Sequence, residues 1–190
     1  MRARLRVALA LWLLPELAGA LAEPRDAAAR AARRDRGSGP VLATGMLAAA
    51  AGAVLATRAL PNAALPERRL AAAEAAGDAL IVAGAAIRWL AIASLGRSFT
   101  RFVSIRKDHA IVETGPYRYV RHPSYAGVVL SFAGFGFALG NVASLAAIGV
   151  ALAPALAYRI AVEEAALAER LGPAYEAYGA RTARLVPWLF

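Results

Sequence analysis

The sequence predicts an all-α integral membrane protein: a helical bundle of four to five spans with a long cytoplasmic loop and a C-terminal helical tail. The 190 residues are 59% hydrophobic, with a mean hydropathy of +0.50. A soluble domain of this size is closer to half apolar. The apolar residues are gathered into long runs bounded by charged or turn-forming residues, which is the pattern of membrane spans.

Four apolar runs are the clear candidate spans: Val41–Thr57, Ala79–Leu95, Pro123–Leu139 and Val142–Ile160. Each has 17 to 19 residues, near the lower limit for crossing a hydrocarbon core of roughly 30 Å. The segment between the first two runs, 58–77, contains two prolines and is predicted to be a loop. Gly140–Asn141 is the predicted turn of a helical hairpin.

The N-terminal 40 residues are predicted to form an apolar segment followed by a basic linker, and residues 41–190 a single membrane domain. Residues 1–22 resemble a signal peptide, with three arginines before an apolar stretch and a small-residue site at Ala20–Ala22. Pro15 and Glu16 interrupt that stretch. A retained interfacial or spanning segment, or an over-extended start, is therefore the favoured alternative.

The net charge of +9 is explained by arginines that flank the apolar runs, so a membrane surface is a better partner than nucleic acid. The 23–40 linker has five basic residues, the 96–122 loop six and the tail from Arg159 four, against three in the 58–77 loop and none in the hairpin turn. The positive-inside rule places the first set in the cytoplasm. The chain has no cysteine and only two histidines, so no metal site is expected.

Two polar islands interrupt the apolar pattern at predicted membrane edges. The first runs from Gly115–Pro116–Tyr117 to Arg121–His122–Pro123–Ser124–Tyr125–Ala126–Gly127, and the second is Glu163–Glu164–Ala165–Ala166–Leu167. Charged groups at such positions are costly unless they are paired or used. Both islands fall on the predicted cytoplasmic face, which indicates one shared site.

The first island should begin a helix at Pro123, since proline suits the first helical position. His122 should be extended and directed away from that helix. The backbone N–H groups of Ser124 and Tyr125 would then be unpaired, a seat for a carboxylate. The alternative is that His122 and Ser124 only cap the helix.

In the second island, Arg159 and Glu163 lie one helical turn apart on one face, and Glu164 points about 100° away. Arg159 suits a carboxylate ligand, Glu163 an ammonium or sulfonium, and Glu164 a bracing contact to the loop. A snorkelling ion pair at the membrane edge is the alternative. Arg121 is expected to pair with Glu163, Glu164 or a cofactor carboxylate, and Arg88 either functions in the site or snorkels.

From about Gly77 to the C-terminus the chain resembles the isoprenylcysteine carboxyl methyltransferase family. The resemblance rests on Gly-x-Tyr, Arg-His-Pro-x-Tyr-x-Gly, a helical hairpin, Glu-Glu-x-x-Leu and Tyr-x-x-Tyr (Tyr175 and Tyr178), all present in that order. It implies a membrane methyltransferase that uses S-adenosylmethionine, with the cytoplasmic loop as its catalytic loop. At the C-terminus, Arg184 and Leu185 replace the last two positions of an Arg-x-x-Ser/Thr-Gly turn.

The resemblance also assigns roles to residues. It implies that Arg159 is the catalytic residue that meets the acceptor and that Glu163 binds the cofactor. Together with the predicted seat at the start of the helix, the complete set of candidate cofactor-binding residues is His109, Ala110, Ile111, Val112, Tyr117, His122, Pro123, Ser124, Tyr125 and Glu163.

Two other enzyme classes remain open from the sequence. Sterol-reductase-type membrane enzymes, which use NADPH, share an Arg-His-Pro-x-Tyr-like segment but often have Asn where this chain has Ser124. A phospholipid or amine N-methyltransferase is the other. The favoured acceptor is a lipophilic carboxylate, whose apolar tail is expected to enter near Gly84, Gly127 and Gly134. Tyr175 and Tyr178 are interpreted as packing residues on a short helix that ends at Gly179.

Overall fold

The computed structural model describes residues 35–96 and 111–187. Five α-helices follow one another in this part of the chain: α1 (Ser38–Ala59), α2 (Glu67–Leu95), α3 (Pro123–Ala138), α4 (Val142–Leu171) and α5 (Pro173–Arg181). Short 3₁₀ helices lie at Pro61–Ala63 and Gly115–Arg118. The fold is the predicted helical membrane bundle.

Three of the described helices, α1, α2 and α4, are long and apolar enough to span a membrane. The fourth apolar helix, α3, has 16 residues, a length of about 24 Å at 1.5 Å per residue. It packs along its length on α2, so its ends are positioned by a longer neighbour. The N-terminal segment, predicted here as a possible further span, lies outside the described residues.

The bundle is built from two helix pairs, α1 with α4 and α2 with α3, and these pairs meet mainly through α3 and α4. Side chains from all four helices form one apolar core. Its buried members are Ala49, Ala53, Ile81, Ala85, Val128, Phe132, Phe135, Ile148 and Leu152.

Glycines bring α2 and α3 into backbone contact. A Cβ atom on Gly127 would lie 2.5 Å from the carbonyl oxygen of Gly84, and a Cβ on Gly134 would lie 2.6 Å from that of Gly77. Small residues are the usual means by which membrane helices approach so closely. The expectation that an apolar tail enters near Gly84, Gly127 and Gly134 is therefore wrong, because these glycines are used to close the interface.

All the polar islands lie at one end of the bundle. A backbone bridge joins Val120 to Ala183, and Asp35, just before α1, contacts Arg159 in the C-terminal half of α4. The opposite end holds the hairpin turn, where the Asn141 side chain donates to the Leu60 carbonyl at 2.9 Å. The described parts of the segments predicted to share one side of the membrane therefore lie at one end of the bundle.

The hairpin turn is confirmed: Gly140 has a φ of 63°, and the Asn141 side chain caps α4 by accepting from the Ala143 N–H. Two other boundaries were predicted wrongly. The 58–77 segment is not all loop, because α2 begins at Glu67 and its alanine-rich first turns favour helix despite their charges. The C-terminal helix α5 does not end at Gly179 but continues to Arg181.

Candidate active site

Helix α3 begins at Pro123 as predicted, but the backbone N–H groups of its first turn make more hydrogen bonds than expected. The Tyr125 N–H donates to the His122 carbonyl oxygen at 3.0 Å, so the prediction that this N–H is unpaired is wrong. His122 has a ψ of 56° and is not extended. Its ring stacks on Tyr125 with the centroids 5.7 Å apart, so it is not directed away from the helix either.

His122 does not cap the helix with its side chain. The ring is buried, and its Nε2 atom lies 3.3 Å from Glu164 Oε1 on α4. The simple capping alternative therefore fails for His122, which links the start of α3 to the second polar island.

Tyr125 connects Arg159 and Glu163, the two residues of α4 that were expected to bind ligands. Its hydroxyl donates to Glu163 Oε2 at 2.7 Å and accepts from Arg159 Nε at 2.9 Å. Glu163 Oε2 and Arg159 Nε are 4.0 Å apart, as expected for residues one helical turn apart. The three side chains form a hydrogen-bonded chain in which the Tyr125 phenol joins the partly exposed Glu163 carboxylate to the buried Arg159 guanidinium.

Arg159 is 3% exposed and is held by a residue that the sequence analysis missed. Its Nη1 atom forms an ion pair with the buried carboxylate of Asp35 and donates to Ser38 Oγ at 2.9 Å. Asp35 also accepts from the Gly39 N–H at 2.6 Å, so it fixes the start of α1. Because Asp35 and Arg159 are 124 positions apart, no local pattern could have revealed this contact.

Glu164 braces the loop, as predicted, and it also contacts the C-terminal tail. Its carboxylate lies 3.2 Å from Arg121 Nε, 3.3 Å from His122 Nε2 and 3.0 Å from Arg184 Nη2. Of the three partners foreseen for Arg121, the structure shows Glu164. Arg121 also donates to the carbonyl oxygens of Gly179 and Thr182, so it ties the tail to the start of α3.

Arg88 on α2 reaches the same end of the bundle. Its Nη1 atom donates to Ser124 Oγ at 2.5 Å. Arg88 therefore contacts a candidate cofactor-binding residue, and both of its predicted roles, function in the site and snorkelling, stay predictions.

Tyr117, in the 3₁₀ helix at Gly115–Arg118, is buried beneath α5. The Tyr178 hydroxyl donates to the Tyr117 carbonyl oxygen at 2.7 Å, which confirms that α5 packs on the loop. Burial raises the pKa of Tyr117, with a further increase from Glu163, so its phenol stays protonated. Ile111 and Val112 are half-buried, whereas the predicted His109 and Ala110 lie outside the described residues.

A long apolar cavity of about 570 Å³ follows the α3–α4 face. Its lining runs from Leu145 to Glu164 on α4, roughly 28 Å at 1.5 Å per residue. Val129 and Ala133 of α3 form the opposite side, and Glu164 and Arg184 are at its polar end. The cavity could not be predicted from the sequence, because an apolar groove and a lipid-facing helix surface have the same composition.

Known proteins match the part of the chain that contains the site residues of α2, α3 and α4, but the family match does not extend to Asp35 or Arg184. The model of the "Isoprenylcysteine carboxyl methyltransferase (ICMT) family" matches residues 78–169. A relative from Arabidopsis thaliana, protein-S-isoprenylcysteine O-methyltransferase B, is 36% identical over 115 residues, which are 60% of this chain and 58% of the relative.

Two fungal relatives have comparable identity but are covered over a smaller share of their own length. The protein-S-isoprenylcysteine O-methyltransferase of Schizosaccharomyces pombe is 36% identical over 55% of this chain and 45% of its own length. That of Saccharomyces cerevisiae is 33% identical over 60% of this chain and 48% of its own length. The chain therefore spans about half the length of the curated relatives it matches.

Proposed function

Taking residues 78–169 as a region of the isoprenylcysteine carboxyl methyltransferase family, we propose that the protein is an integral membrane methyltransferase. It moves a methyl group from S-adenosylmethionine to a lipophilic acceptor, most simply a carboxylate of the isoprenylcysteine type. The observation that carries this proposal is the hydrogen-bonded chain Glu163–Tyr125–Arg159, which lies beside His122 within the matching region.

The methyl donor is assigned to the polar end of the bundle. S-adenosylmethionine supplies an electrophilic methyl group on a sulfonium. The residues proposed to hold it are those of the sequence analysis: His109, Ala110, Ile111, Val112, Tyr117, His122, Pro123, Ser124, Tyr125 and Glu163. The Glu163 side chain is 31% exposed and offers a carboxylate to the donor's cationic groups, and the Tyr117 ring offers a buried aromatic face.

Arg159 is proposed to serve the acceptor. A carboxylate acceptor is already ionised at neutral pH, so the protein needs to orient it and exclude water rather than remove a proton. Near-attack positioning of this kind is worth roughly 7–11 kcal/mol. Because Asp35 occupies Nη1 of Arg159, the acceptor carboxylate would have to share or replace the Asp35 contact.

The apolar tail of the acceptor is proposed to lie in the α3–α4 cavity. The cavity is continuous with Glu164, next to Glu163 in the chain, and Arg184 stands at the same end. The length of the cavity suits a single hydrocarbon chain aligned with the helices. A tail in this position would leave the head group at the end of the bundle where the methyl donor is expected.

The pairing of Arg159 with Asp35 also supports a second candidate, methylation of an amine. If Asp35 stays in place, the charge of Arg159 is already balanced and Glu163 faces the head group as a carboxylate. That environment favours a cationic or neutral head group over a second anion.

The polar end is proposed to face the cytoplasm in a multi-pass arrangement. Asp35 at the end of the basic linker, the 111–122 segment and α5 all meet at this end, and their flanking sequences are rich in arginine. Their shared position supports the positive-inside argument.

Equilibrium binding to the purified protein in detergent or nanodiscs tests the proposed class of enzyme. We expect binding of S-adenosylmethionine and no binding of NADPH. Binding of NADPH alone would replace the methyltransferase with a reductase, and binding of neither would remove both.

A further inference from the structure

Tyr175 differs from every other described residue in one respect. Its hydroxyl oxygen is the single buried side-chain polar atom, among residues 35–96 and 111–187, that has no hydrogen-bond partner. The whole side chain is 8% exposed. Buried hydroxyl groups are normally paired, because removing them from water without a partner is unfavourable.

Helix packing does not explain this hydroxyl. Tyr178 lies one turn later on the same helix, its ring 6.2 Å from that of Tyr175. The Tyr178 hydroxyl is satisfied by the Tyr117 carbonyl oxygen, so it accounts for the docking of α5 on the loop. A phenylalanine at position 175 would pack the same face without burying an unpaired oxygen.

The surroundings of Tyr175 are those of the candidate site. Burial raises its pKa, Glu164 and Glu163 raise it further, and Arg121 opposes them. The phenol therefore keeps its proton at neutral pH and is a hydrogen-bond donor. The helix that carries it, α5, packs through Tyr178 on Tyr117, a candidate cofactor-binding residue.

We propose that Tyr175 is a ligand-binding residue whose hydroxyl donates a hydrogen bond to the S-adenosyl methyl donor. This inference rests on the proposed function and extends the site to α5. It explains why a buried phenol is retained without a partner within the protein, because the bound ligand provides the partner.

The test uses S-adenosylhomocysteine as the probe and three full-length variants. Tyr175→Phe removes the unpaired hydroxyl, Tyr178→Phe removes a paired one, and Tyr119→Phe removes one from a side chain that is 57% exposed. Affinity is measured by calorimetry in detergent, and the thermal midpoint is measured without ligand.

Tyr175→Phe should bind the probe roughly 3- to 10-fold more weakly, the equivalent of one net hydrogen bond, with an unchanged or raised thermal midpoint. Tyr178→Phe should lower the midpoint, and Tyr119→Phe should change neither quantity. This opposition between affinity and stability is the signature of a ligand contact rather than a packing role.

The inference is overturned if Tyr175→Phe binds the probe as tightly as the wild type. It is also overturned if affinity and midpoint fall together, because the hydroxyl then serves packing or an internal water. Failure of the wild type to bind the probe would instead count against the proposed function as a whole, and the inference would fall with it.

Discussion

At the residue scale, two adjacent glutamates have different partners. Glu163 contacts the Tyr125–Arg159 pair and is partly exposed, whereas Glu164 binds Arg121, His122 and Arg184. The 100° between successive helical residues separates their directions. Glu163 is thus proposed as the ligand carboxylate and Glu164 as the carboxylate that joins α4 to the loop and tail.

Matched amide substitutions separate these two roles. Glu163→Gln should weaken binding of S-adenosylhomocysteine by about 1.5–3 kcal/mol, the value of a charge-assisted hydrogen bond, with little change in the thermal midpoint. Glu164→Gln should lower the midpoint, because three cationic or histidine partners lose their carboxylate. Calorimetry and thermal unfolding on both variants provide the measurement, and equal behaviour of the two would contradict the assignment.

Asp35 gives a second prediction at this scale. Asp35→Asn has nearly the same shape, but its single amide oxygen can accept from the Gly39 N–H only if its NH₂ group replaces the oxygen that faces Ser38 and Arg159. Loss of the Asp35 charge beside the buried Arg159 should cost about 3–5 kcal/mol of stability. If Arg159 binds an acceptor carboxylate, a lipophilic acid should restore the thermal midpoint of this variant.

The methyl ester of the same acid is the control ligand, because it has the same tail without the charge. Equal restoration by acid and ester would show that the carboxylate does not reach Arg159. A midpoint unchanged by the substitution itself would show that the Asp35 pair contributes little to the fold.

At the element scale, α4 combines the site and the groove. Arg159 and Glu163 lie on the side that meets α1 and Tyr125, while the residues around Leu152, Leu156 and Ile160 line the cavity. Helix α3 is held by its glycine contacts to α2, which fixes His122 and Tyr125 against α4. The groove proposed for the acceptor's apolar tail and the site proposed for its head group therefore lie on the same helix.

Two glycine substitutions test this arrangement. Gly84→Leu places a side chain against the Gly127 carbonyl oxygen, 2.5 Å from the added Cβ, and should lower stability by about 1–3 kcal/mol or more. Gly149→Leu meets nothing within 4 Å of its Cβ, so stability should be maintained, but the side chain enters the groove and should weaken binding of a lipophilic acceptor. Unchanged acceptor affinity in Gly149→Leu would place the tail elsewhere.

At the scale of the whole molecule, the helical class and the hairpin followed from hydropathy and from Pro123 and Gly140–Asn141. The bracing role of Glu164 followed from helical periodicity. Three features could not be predicted. The start of α2 was predicted to be a loop because it is charged. The Asp35–Arg159 pair joins segments that are distant in the sequence. The α2–α3 glycine interface can be recognised only when the positions of both helices are known.

Methyl transfer to a lipophilic acid tests the central proposal most directly. The wild-type protein in nanodiscs would be incubated with methyl-tritiated S-adenosylmethionine and N-acetyl-S-farnesylcysteine, with the methyl ester of that acid as the control acceptor. We predict label on the free acid that mild base releases as volatile methanol, and none on the ester. Label that resists base, or no transfer while the methyl donor is bound, would contradict carboxylate methylation.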